Sequence, residues 1–241
     1  MNYLNISGYK FIALAVDTLP ALQQQLTQQA TERNLKGTIL LSSEGINAFL
    51  AGAPADIHGF VDQLRTMPDF ADIWFKFSES ADIPFKHLRV RIKTEIIAMK
   101  QPEVQPQQMT APYLEPAQLK EWYEQHQDMV ILDTRNTYEV ERGTFEQALH
   151  LNIENFNEFP AAIASLPAEL KAKPIVTFCT GGIRCEKAAA YLLQQGFNNV
   201  WQLKGGILNY FEQCGGEHFD GDCFVFDERI AVDSNLRPAS A

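Results

Sequence analysis

Residues Pro174 to Tyr191, PIVTFCTGGIRCEKAAAY, constrain this chain more than any other stretch. The apolar, β-branched run Ile175-Val176-Thr177-Phe178 has the composition of a parallel strand buried on both faces. It ends on Cys179, crosses Thr180-Gly181-Gly182-Ile183-Arg184, and opens into an alanine-rich helix, Glu186 to Leu193. A cysteine therefore stands at the carboxyl end of a strand and just before a helix N-terminus. Gly181 and Gly182 free the backbone to turn its N–H groups inward as an anion-binding nest. That nest, with the guanidinium of Arg184, favours thiolate over thiol and lowers the pKa expected for Cys179. A buried structural cysteine beside a glycine turn explains the sulfur, but not the glycine pair and the arginine together. The reactive reading is preferred.

The rest of the chain is organised around that unit. Its 241 residues allow two domains, and a 46% hydrophobic content supplies a substantial core, which argues against global disorder. No run approaches the ~18 apolar residues a membrane span needs, and MNYLNISGYK lacks a signal-peptide pattern. The cysteines, Cys179, Cys185, Cys214 and Cys223, fit no dense disulfide framework, so a reduced, cytoplasmic protein is expected. A net charge of −10 excludes chain-wide affinity for nucleic acid and leaves room only for a local basic patch.

From the amino end, strands are expected at 9–15, from Leu35 to about Leu41, after a turn at Ser42-Ser43-Glu44-Gly45 to about Ala51, and at 73–78. Helices are expected at 19–33 and 54–67. The order βαββαβ is the split pattern of a ferredoxin-like α+β domain. Appended to it is PFKHLRVRIKTEIIAMK, in which Leu88, Val90 and Ile92 alternate with Arg89, Arg91 and Lys93. On a strand this sets three cations on one face, with Lys86 just before them. Charged residues on an edge strand commonly prevent aggregation. Three like charges in a row within an acidic protein point further, to contact with a phosphate backbone.

Residues 101–112, QPEVQPQQMTAP, read as a linker. Beyond them strands and helices alternate. A strand over Val130-Ile131-Leu132 delivers Asp133-Thr134-Arg135, and one over Val200 to Leu203 precedes Lys204-Gly205-Gly206. Alternation predicts an α/β domain with a parallel sheet and a site outside the strand carboxyl ends. The expected division is 1–100 as an RNA-contacting domain, 101–112 as linker, 113–215 as the α/β domain and 216–241 as a C-terminal extension. His126-Gln127-Asp128 lies in a polar loop without a third metal ligand, and Cys214, His218 and Cys223 fit no standard zinc spacing. No metal is expected.

The loop resembles the active-site loop of the rhodanese superfamily, whose cysteine carries a persulfide sulfur. Cys179 and Arg184 enclose four residues, one fewer than in related phosphatases, and the smaller loop suits sulfur better than phosphate. Asp133-Thr134-Arg135 and Lys204-Gly205-Gly206 match further parts of the rhodanese pattern; Asp133 and Arg135 are read as supporting residues. The segments SSEGINAF, PFKHLRVRIKTEI, LDTRNTYEVERGTF, LNIENFNEFP, FCTGGIRCEKA, LKGGILNYF and FVFDER together resemble the bacterial tRNA uridine 5-hydroxylase family. That resemblance implies hydroxylation of the wobble uridine of tRNA at carbon 5, with Cys179 as the active-site residue. It also implies molecular oxygen as co-substrate and an electron donor the sequence does not identify. No cofactor fingerprint is evident. A plain sulfurtransferase working through a Cys179 persulfide is the alternative, and a non-catalytic binding module is disfavoured by the intact Cys179 and Arg184.

Overall fold

The structure is a computed structural model, and it describes residues 2–239. The chain divides into two compact units between Ile97 and Ala98. The amino-terminal unit runs β1 (Tyr3–Phe11), α1 (Leu19–Glu32), β2 (Lys36–Ser42), β3 (Gly45–Gly52), α2 (Pro54–Arg65), β4 (Trp74–Ser80) and β5 (Leu88–Ile92). The strands form one sheet in the order β4-β1-β3-β2-β5. β3 lies antiparallel between β1 and β2, and β1 lies antiparallel between β3 and β4. This is the split βαβ arrangement, with β5 added parallel to β2 at the edge. Pro20 and Pro54 stand in the first turns of the two helices, where a missing N–H costs nothing. Leu19, Leu26 and Ala30 of α1 and Ile57, Phe60 and Leu64 of α2 join Ile6, Ile39, Leu41 and Leu50 in one buried cluster.

The first strand is a correction. It spans Tyr3–Phe11 and not 9–15. Asn5 and Ser7 make its start look like a loop, but the Asn5 amide donates to Ser78 O at 3.1 Å and Ser80 Oγ at 3.0 Å. A buried polar group with partners of this kind is compatible with a central strand.

The second unit runs β6 (Tyr113–Leu114), α3 (Pro116–Glu124), β7 (Val130–Asp133), α4 (Thr137–Val140), β8 (Gly143–Phe145), β9 (Leu149–His150), α5 (Phe159–Ala164), β10 (Ile175–Phe178), α6 (Ile183–Gln194), β11 (Val200–Leu203) and α7 (Gly206–Cys214). It ends with β12 (Phe219–Gly221), β13 (Cys223–Phe224) and β14 (Ala231–Val232). The main sheet, β6-β11-β10-β7-β9, is parallel throughout. β10 lies at its centre and is fully buried, as its β-branched composition requires. Two small antiparallel pairs, β8 with β12 and β13 with β14, carry the end of the chain. Residues 101–112 fold in turns within this unit. Val104 and Ala111 are buried, Gln194 Nε2 donates to Glu103 O at 3.2 Å, and Gln202 Nε2 donates to Ala111 O at 2.8 Å. Among the described residues, no helix is long and apolar enough to cross a membrane.

Candidate active site

Cys179 leaves β10 with only 1% of its surface exposed, and the loop that follows folds over the sulfur. The Gly182 N–H donates to Cys179 Sγ at 3.1 Å, and the Arg184 N–H is a second donor. Gly182 holds φ +98°, a left-handed position that strains any residue with a Cβ. The loop carbonyls are engaged from the other side. The N–H of Ile207 donates to Cys179 O at 3.0 Å, and that of Leu208 to Thr180 O at 3.1 Å. These donors belong to the first turn of α7, where N–H groups have no partner inside the helix. Gly206 permits the approach, since a Cβ there would stand 2.3 Å from Cys179 O. The glycine pair after β11 is therefore a docking point for the cysteine loop.

Arg184 turns away from solvent and donates to both oxygens of Glu139, at 2.5 and 2.7 Å. Neither side chain is more than 5% exposed. Burial opposes the Arg184 charge, but Glu139 beside it raises the guanidinium pKa above its ordinary value. Glu139 is fixed in turn by its own helix. It is the third residue of α4, and with Asn136 it forms a capping box, accepting the Asn136 N–H at 3.2 Å. Thr180 uses its hydroxyl to reach Phe224 O at 3.2 Å, Ile183 opens α6, and Gly181 lies between them in the loop.

Two thiols share this site. Burial alone would raise the pKa of Cys179. A hydrogen bond from Cys185, the Arg184 charge, and the N–H groups of Arg184 and Gly182 outweigh it and bring the value down to about 6. Cys185, also hydrogen-bonded to Thr177, is pushed well above the ordinary value, by burial first and then by its contact with Cys179. Loss of a proton from the pair is thus favoured at Cys179 and opposed at Cys185. Cys223 is pushed up to about 12, chiefly by burial. Ultraviolet absorbance of the thiolate should therefore rise with pH through a midpoint near 6, because a lowered pKa fills the charged form at lower pH. Cys185→Ala removes a donor to that thiolate and should move the midpoint upward. A midpoint unmoved by the substitution would show that Cys185 plays no part in stabilising it.

Asp133 and Arg135 form a fully buried pair of their own. Arg135 Nε and Nη2 donate to Asp133 at 2.9 and 2.7 Å, and Arg135 Nη2 also reaches Gly143 O at 2.7 Å. Thr144 Oγ1 donates to Asp133 Oδ2 at 2.8 Å. These bonds tie β7 to β8, whereas the donors to the Cys179 sulfur come from its own loop and from Cys185. On the other unit, Arg89 and Arg91 are exposed on β5 with Lys86 before it and Lys93 just after, while Leu88 and Val90 pack on the core. Ile92, expected on the apolar face, is 38% exposed because β5 is an edge strand. Asp128 pairs with Lys173 at 2.8 Å, and His218 stacks on Tyr123 with centroids 4.7 Å apart.

Three features of the site are not apparent in the sequence pattern. Glu139 could have been found from the capping-box spacing Asn136 to Glu139. The pairing of Cys185 with Cys179 had no signal beyond their separation. The β13–β14 hairpin, too short for a periodic pattern, brings Phe224 and Phe226 onto the loop: the Arg184 guanidinium lies 5.8 Å from the Phe226 ring centroid.

A parallel sheet with a cysteine loop after its central strand, docked on a glycine pair, defines a rhodanese-like domain. The family described as Rhodanese-like domain matches residues 115–213, and the one described as UPF0176 acylphosphatase like domain matches residues 3–96. A protein of Bordetella petrii named tRNA uridine(34) hydroxylase is 51% identical, over 99% of this chain and 96% of that one. One of the same name from Cupriavidus necator is 51% identical over 99% and 86%, and one from Bordetella parapertussis 50% over 98% of both. The chain belongs to the tRNA uridine(34) hydroxylase family.

Proposed function

We propose that this protein hydroxylates carbon 5 of the wobble uridine of tRNA, with molecular oxygen as oxidant and an external two-electron donor. Uridine, oxygen, two electrons and two protons then give 5-hydroxyuridine and water, so each oxygen atom is accounted for. The observation that carries this reading is a buried cysteine sulfur, Cys179, facing the Gly182 N–H, in a chain aligned almost end to end with hydroxylases of that name. Cys179 is the reacting group. Gly182 and Arg184 hold its negative charge through their N–H groups, and Glu139 fixes the Arg184 side chain. Asp133 and Arg135 support the fold nearby by tying β7 to β8. Such chemistry belongs in the cytoplasm, where tRNA is found and thiols stay reduced. A strain lacking the gene should yield tRNA without 5-hydroxyuridine by nucleoside mass spectrometry, restored by the intact gene. Unchanged 5-hydroxyuridine, with rapid thiosulfate-to-cyanide sulfur transfer by the purified protein, would favour the sulfurtransferase instead.

In this reading Lys86, Arg89, Arg91 and Lys93 contact tRNA phosphates. Support comes from their exposure along β5 and just beside it. Alanine at Arg89, Arg91 and Lys93 together should weaken tRNA binding without changing which uridine is modified. The slope of log affinity against log salt should flatten by ~0.7–0.9 for each phosphate no longer neutralised. Exposed substitutions of this kind usually change stability by under ~0.5 kcal/mol, which circular dichroism can check. An unchanged slope in the folded triple variant would return the strand to a charged edge that merely prevents pairing.

A further inference from the structure

Among the described residues, eight large apolar side chains remain exposed, and two of them, Phe226 and Tyr138, adjoin residues of the cysteine site. Phe226 is 50% exposed, Tyr138 41% and Ile230 51%. Phe226 and Ile230 belong to the β13–β14 hairpin connection, which is fastened at its base by the Val225 N–H to Ile230 O at 2.8 Å. The tip is closed by Arg229, whose guanidinium and N–H both bond Asp227. Ile230 holds φ +64°, a region β-branched residues seldom enter, so the surrounding contacts fix this turn against its own preference. Phe224 stands between the two exposed rings, with centroids 5.3 Å from Tyr138 and 5.2 Å from Phe226, both edge-on. The cluster is joined directly to the site. Phe224 O accepts the Thr180 hydroxyl, Phe226 lies against Arg184, and Tyr138 is the neighbour of Glu139 on α4.

A half-exposed ring packed against Arg184 of the cysteine loop has a specific use in an enzyme that modifies RNA. Every nucleobase offers a π-face, and a base must leave its stack before chemistry can reach its ring carbons. The Arg184 guanidinium also anchors the ring electrostatically, since a cation is attracted to an aromatic face. We propose that Phe226, backed by Phe224 and Tyr138, is the stacking surface for the target uracil once it turns out of the anticodon loop. This inference rests on the RNA-hydroxylase reading and adds to it the residue that holds the base.

The test uses the full chain and two anticodon stem-loop RNAs, identical except that one lacks the base at the target position. Phe226→Ala should weaken binding of the uridine-containing stem-loop by about 5- to 140-fold, the range for loss of one base–aromatic stack. It should leave the abasic stem-loop unaffected. Phe226→Trp should restore the affinity, and its indole fluorescence should be quenched further than that of the unsubstituted protein when the uridine is present. Equal losses on both RNAs, or no rescue by tryptophan, would mean that the ring serves only to pack against Arg184, and would overturn the proposal. Failure of the unsubstituted protein, given oxygen gas and a two-electron reductant, to hydroxylate both the uridine stem-loop and full-length tRNA would instead sink the hydroxylase reading itself.

Discussion

Cys179→Ser is expected to abolish 5-hydroxyuridine formation, by about 10³-fold or more, while the protein stays folded. Serine is close to cysteine in size, so the buried position at the end of β10 can accept it. Its hydroxyl is not ionised near neutral pH, and the donors that stabilise a thiolate there have no charge to act on. The same change at Cys185 should be milder, because that sulfur keeps its proton and acts only through its hydrogen bond to Cys179. Product formation is read by nucleoside mass spectrometry and folding by circular dichroism. Full activity in Cys179→Ser beside a dead Cys185→Ser would reverse the roles given to the two thiols.

Glu139→Ala should be the most damaging substitution for stability. The Arg184 guanidinium is then left buried without its counter-ion, and breaking a buried pair in this way costs about 3–5 kcal/mol. One smaller loss adds to it: the capping box of α4 loses the carboxylate that accepts the Asn136 N–H. Glu139→Gln keeps the shape and part of the hydrogen bonding, so it should destabilise less than the alanine variant. Urea denaturation of the whole chain gives both values through the shift in midpoint. A loss below about 1 kcal/mol for Glu139→Ala would match a solvated surface pair and contradict the buried arrangement.

Much of this molecule was legible in its residues, for reasons that differ by element. β10 could be read because a run of four apolar or β-branched residues ending on cysteine and glycine has few other uses. β5 could be read because its alternation has period two, although its position at the sheet edge left Ile92 more exposed than the pattern alone implies. Residues 3–8 could not, since Asn5 and Ser7 look like loop formers until the partners of Asn5 on β4 are known. Those partners lie more than 70 residues away. The site shows the same division. Cys179, Arg184 and the glycines belong to one contiguous segment and announce themselves. Glu139, Phe226 and the α7 N–H donors come from elsewhere in the chain, and only the fold unites them. Gly205-Gly206 was visible as a pair, but its purpose, close approach to Cys179 O, is a tertiary fact.

Cys179 is proposed to direct one atom of molecular oxygen onto the wobble uridine. The most direct measurement supplies purified protein, unmodified tRNA and a reductant with isotopically labelled oxygen gas, then digests the tRNA to nucleosides. The expected product is 5-hydroxyuridine that carries the label from the gas, confined to the wobble position and absent with Cys179→Ser. Product labelled from water instead, or no oxygen gained while sulfur is transferred to the RNA or to cyanide, would contradict it.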